Sequence, residues 1–139
     1  MIVLGIESSC DETGLALYSE EKGLIKHLVN SQIDLFTEYG GVIPEIAARD
    51  HSVKIVRILE ELIEDTGIGL NDIDLIAYTA GPGLIGSLVV GETVAKTIST
   101  LLDIELLPMN HLEGHILADR KSTRLNSSHS SVSRMPSSA

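Results

Sequence analysis

The feature that most constrains this chain is the spacing of its five short apolar runs. The first three, Ile2 to Ile6, Leu15 to Tyr18 and Leu24 to Val29, follow one another across brief polar segments. Gaps that short permit hairpins, and so antiparallel pairing. The last two, Ile73 to Thr79 and Ile104 to Leu107, each follow a long stretch with helical spacing. A gap of that kind permits a crossover helix and parallel pairing. The expected order is βββαβαβ, an α/β unit with a mixed sheet and flanking helices.

The punctuation agrees with that order. Glu7-Ser8-Ser9-Cys10-Asp11-Glu12-Thr13-Gly14 is polar, small and closed by glycine, and reads as the first hairpin turn. Glu20 to Gly23 reads as the second turn, and Ser31 to Val42 as a loop. Pro44 suits the first turn of a helix, and Gly67 its end. Ile46, Val53, Val56, Leu59, Leu62 and Ile63 supply the helical spacing between, through about Asp65. Arg49, Asp50 and His51 fall early in this helix and read as a solvated face. Ala80-Gly81-Pro82-Gly83-Leu84-Ile85-Gly86-Ser87 opens a second helix to about Leu102, with Leu88, Val94, Ala95, Ile98 and Leu101 inward. Such a turn either presents N–H groups to an anion or lets elements pack closely. It matches neither G-x-G-x-x-G nor a Walker A sequence.

Composition narrows the setting. At 139 residues the chain is one domain, large enough for a core. No apolar run approaches the roughly 20 residues of a membrane span. MIVLGIESS lacks a basic leader and enters a strand directly, so no export signal is expected. Cys10 is the single cysteine, which suits the cytoplasm. Residues 1–118 carry 6 Lys+Arg against 19 Asp+Glu, net −13. That acidic body offers nothing to a nucleic acid by itself. Residues 119–139 differ abruptly, with net charge +3, eight serines and no apolar periodicity. They read as a disordered, non-native tail outside the folded unit of residues 1–118. DRKSTRLNSSH also resembles the in-frame translation of a sequencing adapter, which would make the tail an artefact of gene assembly.

Two stretches carry candidate chemistry. The βββαβαβ order is that of the ribonuclease-H-like fold, one lobe of the actin-like ATPases, whose first hairpin turn handles phosphate. Here Ser8, Ser9 and Thr13 are candidate donors to phosphate oxygens, and Asp11 and Glu12 candidate holders of a metal or a water. The second stretch is Pro108-Met109-Asn110-His111-Leu112-Glu113-Gly114-His115. In a helix over residues 110–118, His111 and His115 share one face, within reach of a common metal ion. H-x-E-x-H is not the H-E-x-x-H of zinc proteases. The bland reading is a pair of surface or capping histidines.

GIESSCDETGLALY, GGVIPEIAARDH, AYTAGPGLIGSLVVG and NHLEGHILA stand in this order across residues 5–118. Together they closely resemble the N-terminal half of the bacterial TsaD family, formerly called Gcp or glycoprotease. The resemblance implies a tRNA N6-adenosine threonylcarbamoyltransferase. Such an enzyme moves threonylcarbamoyl from threonylcarbamoyl-AMP to N6 of adenosine 37, in tRNAs that read codons starting with A. It implies one divalent metal per subunit, Fe2+ or Zn2+, on His111 and His115, with Asp11 and Glu12 in the catalytic cleft. The remaining metal carboxylate and most adenylate-binding residues belong to a second half that this chain lacks, so the 139-residue chain alone is expected to be inactive and to hold metal weakly. Implied partners are a TsaB-like paralogue, through the helices at about 45–65 and 84–102, a TsaE-like ATPase and tRNA. The competing function is a TsaB-like assembly lobe without catalysis. The older protease assignment lacks the motif it needs.

Overall fold

The structure is a computed structural model, and it describes residues 1–9, 11–32, 37 and 40–112. The chain opens with three strands, β1 (Ile2–Glu7), β2 (Glu12–Ser19) and β3 (Gly23–Ser31). Helix α1 (Pro44–Thr66) leads through a short 3-10 turn, Leu70–Asp72, to β4 (Leu75–Gly81). Helix α2 (Ile85–Leu102) then leads to β5 (Glu105–Asn110). The sheet order is β3-β2-β1-β4-β5. Strands β1, β2 and β3 pair antiparallel, and β4 and β5 run parallel to β1. This is the mixed sheet of a ribonuclease-H-like unit. Strand β5 runs on through Pro108, which an edge strand tolerates because one side has no ladder to supply.

Alternation along the strands gives the sheet two unlike faces. Leu4 and Ile6, Leu15 and Leu17, and Ile76 and Tyr78 point to one face and are buried there. Both helices cover that face, with Ile55, Ile58 and Leu62 of α1 and Ala95 and Ile98 of α2 in the same cluster. Helix α1 starts on Pro44 and ends on Gly67, whose left-handed φ of 74° lets its N–H reach the Ile63 carbonyl. Helix α2 approaches β1 closely through Ser87, Gly91 and Ala95. A Cβ on Gly91 would lie 2.6 Å from the Ser8 hydroxyl oxygen and 3.3 Å from Ile6. By length and mean hydropathy, 18 residues at 1.3, α2 is long and apolar enough to cross a membrane. Here it lies on the sheet through that small-residue stripe.

The faces of the helices differ from expectation. The buried line of α1 is Ala47, His51, Ile55, Ile58 and Leu62, whereas Val53 is 62% and Val56 51% exposed. Helix α2 likewise turns Leu101 outward, 75% exposed. The larger correction is His51. Within Ala-Arg-Asp-His, Arg49 is exposed and Asp50 pairs with Lys54 at 2.9 Å, but His51 is 0% exposed. It is buried because its Nδ1 lies 2.7 Å from the hydroxyl of Thr13, itself buried, so the ring keeps a polar partner.

Candidate functional site

The strands β1, β4 and β5 are parallel, so their C-terminal ends share one edge of the sheet, where such folds place ligands. Glu7, Thr79 and Asn110 lie at those ends, and Glu12 starts antiparallel β2 at the same edge. All four line a cavity of about 470 Å³ on the face of the sheet opposite the helices. Its floor is small, with Gly5, Gly14, Ala16 and Ala77, and its far wall includes Val29, Met109 and His111. Strand pairing sets Gly14 between Glu7 and Val29, and Thr79 beside Met109.

The turn after β1 is pinned from several sides. The Gln32 N–H donates to the Asp11 carbonyl at 2.8 Å, and Gln32 Nε2 to the Ala47 carbonyl at 3.2 Å. With the Thr13–His51 bond, these tie the segment bearing Asp11 and Glu12 to α1. On the other side, the Leu84 N–H donates to the Ser9 carbonyl at 2.8 Å. A Cβ on Gly83 would meet that same oxygen at 2.6 Å, so here the glycine-rich turn serves close packing.

The three candidate hydroxyls face inward. Ser8 Oγ, in a residue 2% exposed, donates to the Ser87 carbonyl at 2.7 Å and accepts the Gly91 N–H at 3.1 Å. Thr13 is committed to His51, and Ser9 Oγ lies 2.8 Å from His111 Nδ1. In this arrangement each hydroxyl is engaged within the fold. Glu12 is exposed and Asp11 half-buried, so their carboxylates are the more accessible groups of the turn.

His111 follows β5 directly. Asn110 Oδ1 accepts the Leu112 N–H at 2.8 Å, the bond of an N-capping residue, and His111 and Leu112 begin a helical turn. His111 Nδ1 lies 3.1 Å from Glu7 Oε2 as well as beside Ser9. Glu7 is held in turn, with Oε2 accepting from Thr79 Oγ1 at 2.9 Å and Oε1 from the Ser9 N–H at 2.5 Å. Glu7 closes an apolar strand in the sequence, which hides it as a site residue. Two-residue alternation from Gly5, at the C-terminal end of a parallel strand, is the signal that points to it.

The donor chemistry suits one ligand of a metal site. Ligating histidines commonly have the second ring nitrogen held by a carboxylate or other polar partner, as His111 has. Among the described residues no group of three His, Cys, Asp or Glu is placed to hold an ion. His115, Cys10, Glu113 and the segment from residue 119 lie outside the described residues.

The sequence pattern of the TsaD family, described as tRNA N6-adenosine threonylcarbamoyltransferase, matches residues 23–128. The chain belongs to the TsaD family. The match begins at β3, after the Asp11–Glu12 turn, and runs past residue 119. Among solved structures the fold is similar to YeaZ from Pseudomonas aeruginosa, with TM-score 0.66 and 19% identity over 90% of this chain and 49% of that one. A second structure, of an uncharacterised protein with similarity to peptidase YeaZ from Pseudomonas aeruginosa, gives 0.62 and 24% over 86% and 46%. RuvC of T. thermophilus in complex with a Holliday junction substrate gives 0.52 and 13% over 87% and 72%. These likenesses carry the fold. The chain of this TsaD-family protein spans about half the length of the two YeaZ-type structures it matches.

Proposed function

We propose that this chain supplies the N-terminal lobe of an enzyme that transfers threonylcarbamoyl from threonylcarbamoyl-AMP to N6 of adenosine 37 in tRNA. Family membership supports the reaction class. The observation that carries the reading is His111, fixed beside Glu7 and Ser9 at the edge where Glu12 opens to the cavity. His111 and His115 would hold one divalent metal, Fe2+ or Zn2+, and the bound metal supplies Lewis-acid polarisation of an acyl oxygen. In the transfer, N6 bonds to the carbamoyl carbon, and the bond from that carbon to the phosphate oxygen breaks. AMP leaves with the electron pair. The N6 proton passes to Asp11 or Glu12, whose carboxylates are the exposed bases of the turn.

Charge and surface support the proposed partners. The acidic lobe needs basic surface from elsewhere to hold tRNA. Val53, Val56, Ile85 and Val89 are exposed apolar side chains on α1 and α2, which supports docking of a TsaB-like paralogue there. A TsaE-like ATPase completes the proposed cytoplasmic assembly. The rival reading is a TsaB-like scaffold, supported by the YeaZ-type fold. A scaffold has no need of an anchored imidazole at the strand ends.

The test is transfer to tRNA by residues 1–118 joined to the gene's own continuation, with the paralogue and ATPase present. Asp11→Asn with Glu12→Gln is expected to lower the rate about 100- to 10,000-fold, and the 139-residue chain alone to give no product. An unchanged rate in the double variant refutes the acid–base role.

A further inference from the structure

We infer that Glu7 is a positioning residue for His111, fixing the imidazole in the Nδ1–H tautomer so that Nε2 carries the lone pair a metal ion takes. The inference rests on the metal reading above and extends it to a residue outside the ligand set. Glu7 is the last residue of β1, and the open end of the sheet brings three elements to its carboxylate. Oε1 accepts the Ser9 N–H at 2.5 Å from the turn. Oε2 accepts the Thr79 hydroxyl at 2.9 Å from β4 and lies 3.1 Å from His111 Nδ1 after β5. A carboxylate held from two sides does not swing away when its neighbour changes state.

The tautomer follows from electrostatics. A lone pair on Nδ1 would face the Glu7 carboxylate at 3.1 Å, like against like. A proton on Nδ1 turns that repulsion into attraction, and Ser9 Oγ at 2.8 Å accepts it. Neutral histidine in water prefers the proton on Nε2, so the site reverses the intrinsic preference. A carboxylate behind a ligating imidazole both orients the ring and raises its basicity. Ser9 and Thr79 each donate to one oxygen of Glu7, which holds the carboxylate beside the His111 ring.

The experiment is nitrogen NMR on histidine-labelled residues 1–118 joined to the gene's own continuation, about two pH units above the ordinary imidazole value near 6.5. The His111 signals are identified by their loss in His111→Ala. The wild-type chain is expected to show His111 as Nδ1–H, and Glu7→Gln, which keeps size and acceptor oxygen, to move it toward Nε2–H. In parallel, Co2+ titrated into both proteins is expected to bind about 10- to 100-fold more weakly to Glu7→Gln, with circular dichroism unchanged. His111 as Nε2–H in the wild type, or the same tautomer and Co2+ affinity in both proteins, overturns the inference. A Glu7-dependent tautomer with no Co2+ binding by either protein upholds the positioning role and overturns the metal assignment.

Discussion

The two faces of the one sheet are made from alternate residues of the same strands, yet they do different work. Leu4, Ile6, Leu15, Leu17 and Ile76 fill one face and are covered by α1 and α2. Gly5, Gly14, Ala16 and Ala77 floor the other, where no helix among the described residues lies over them. Large aliphatic groups on the first face hold the strands in register. Small groups on the second leave room, and the polar residues Glu7, Glu12, Thr79 and His111 line the cavity at its end, where Thr79 and His111 both meet the Glu7 carboxylate. The contrast teaches that the packed core and the polar cavity edge are assigned by parity along the strand. One residue of register shift would exchange them.

The largest effect should come from emptying the covered face. Ile76→Ala is expected to cost about 2–5 kcal/mol of unfolding free energy in urea, because a buried side chain is removed and the site cannot close. Ala77→Ser, one residue away on the other face, should fall within about 0.5 kcal/mol. Equal losses at the two positions would erase the distinction. The next largest effects test the seams between the site's turn and the covered face. Gly91→Ala should cost about 1–3 kcal/mol, and markedly less in a Ser8→Ala background, since the added Cβ meets the Ser8 hydroxyl. Additive losses would place the strain elsewhere. Thr13→Val should cost about 1–3 kcal/mol by leaving the buried His51 nitrogen without its hydroxyl. Smallest of all, Val53→Ser and Val56→Ser on the outer side of α1 should change the isolated chain by under about 0.5 kcal/mol. Light scattering with the proposed TsaB-like partner is expected to show weaker association for both variants.

Much of this was legible in the sequence. The βββαβαβ order, the Pro44 start and the Gly67 stop of α1 all follow from spacing and turn chemistry. The buried line of α1 was not, because it runs through Ala47 and His51, one small and one polar. A pattern of large aliphatics drifts onto Val53 and Val56 instead. Nothing local tells that His51 meets Thr13, a partner 38 residues away. The same holds for Ser8, which has the composition of a phosphate-binding turn yet is consumed by α2. Glu7 is hidden in the sequence because a strand's last residue reads as part of the strand. Its role depends on β4 and on the start of the segment after β5, both far along the chain.

The central proposal is that the anchored His111 at the strand ends makes this lobe one half of a transferase site. Its most direct test is the rate of threonylcarbamoyl transfer by the lobe joined to its gene's continuation, with partners present, for wild type and His111→Ala. The account predicts a fall of about a hundredfold or more with an unchanged thermal melt. A rate close to wild type would contradict it.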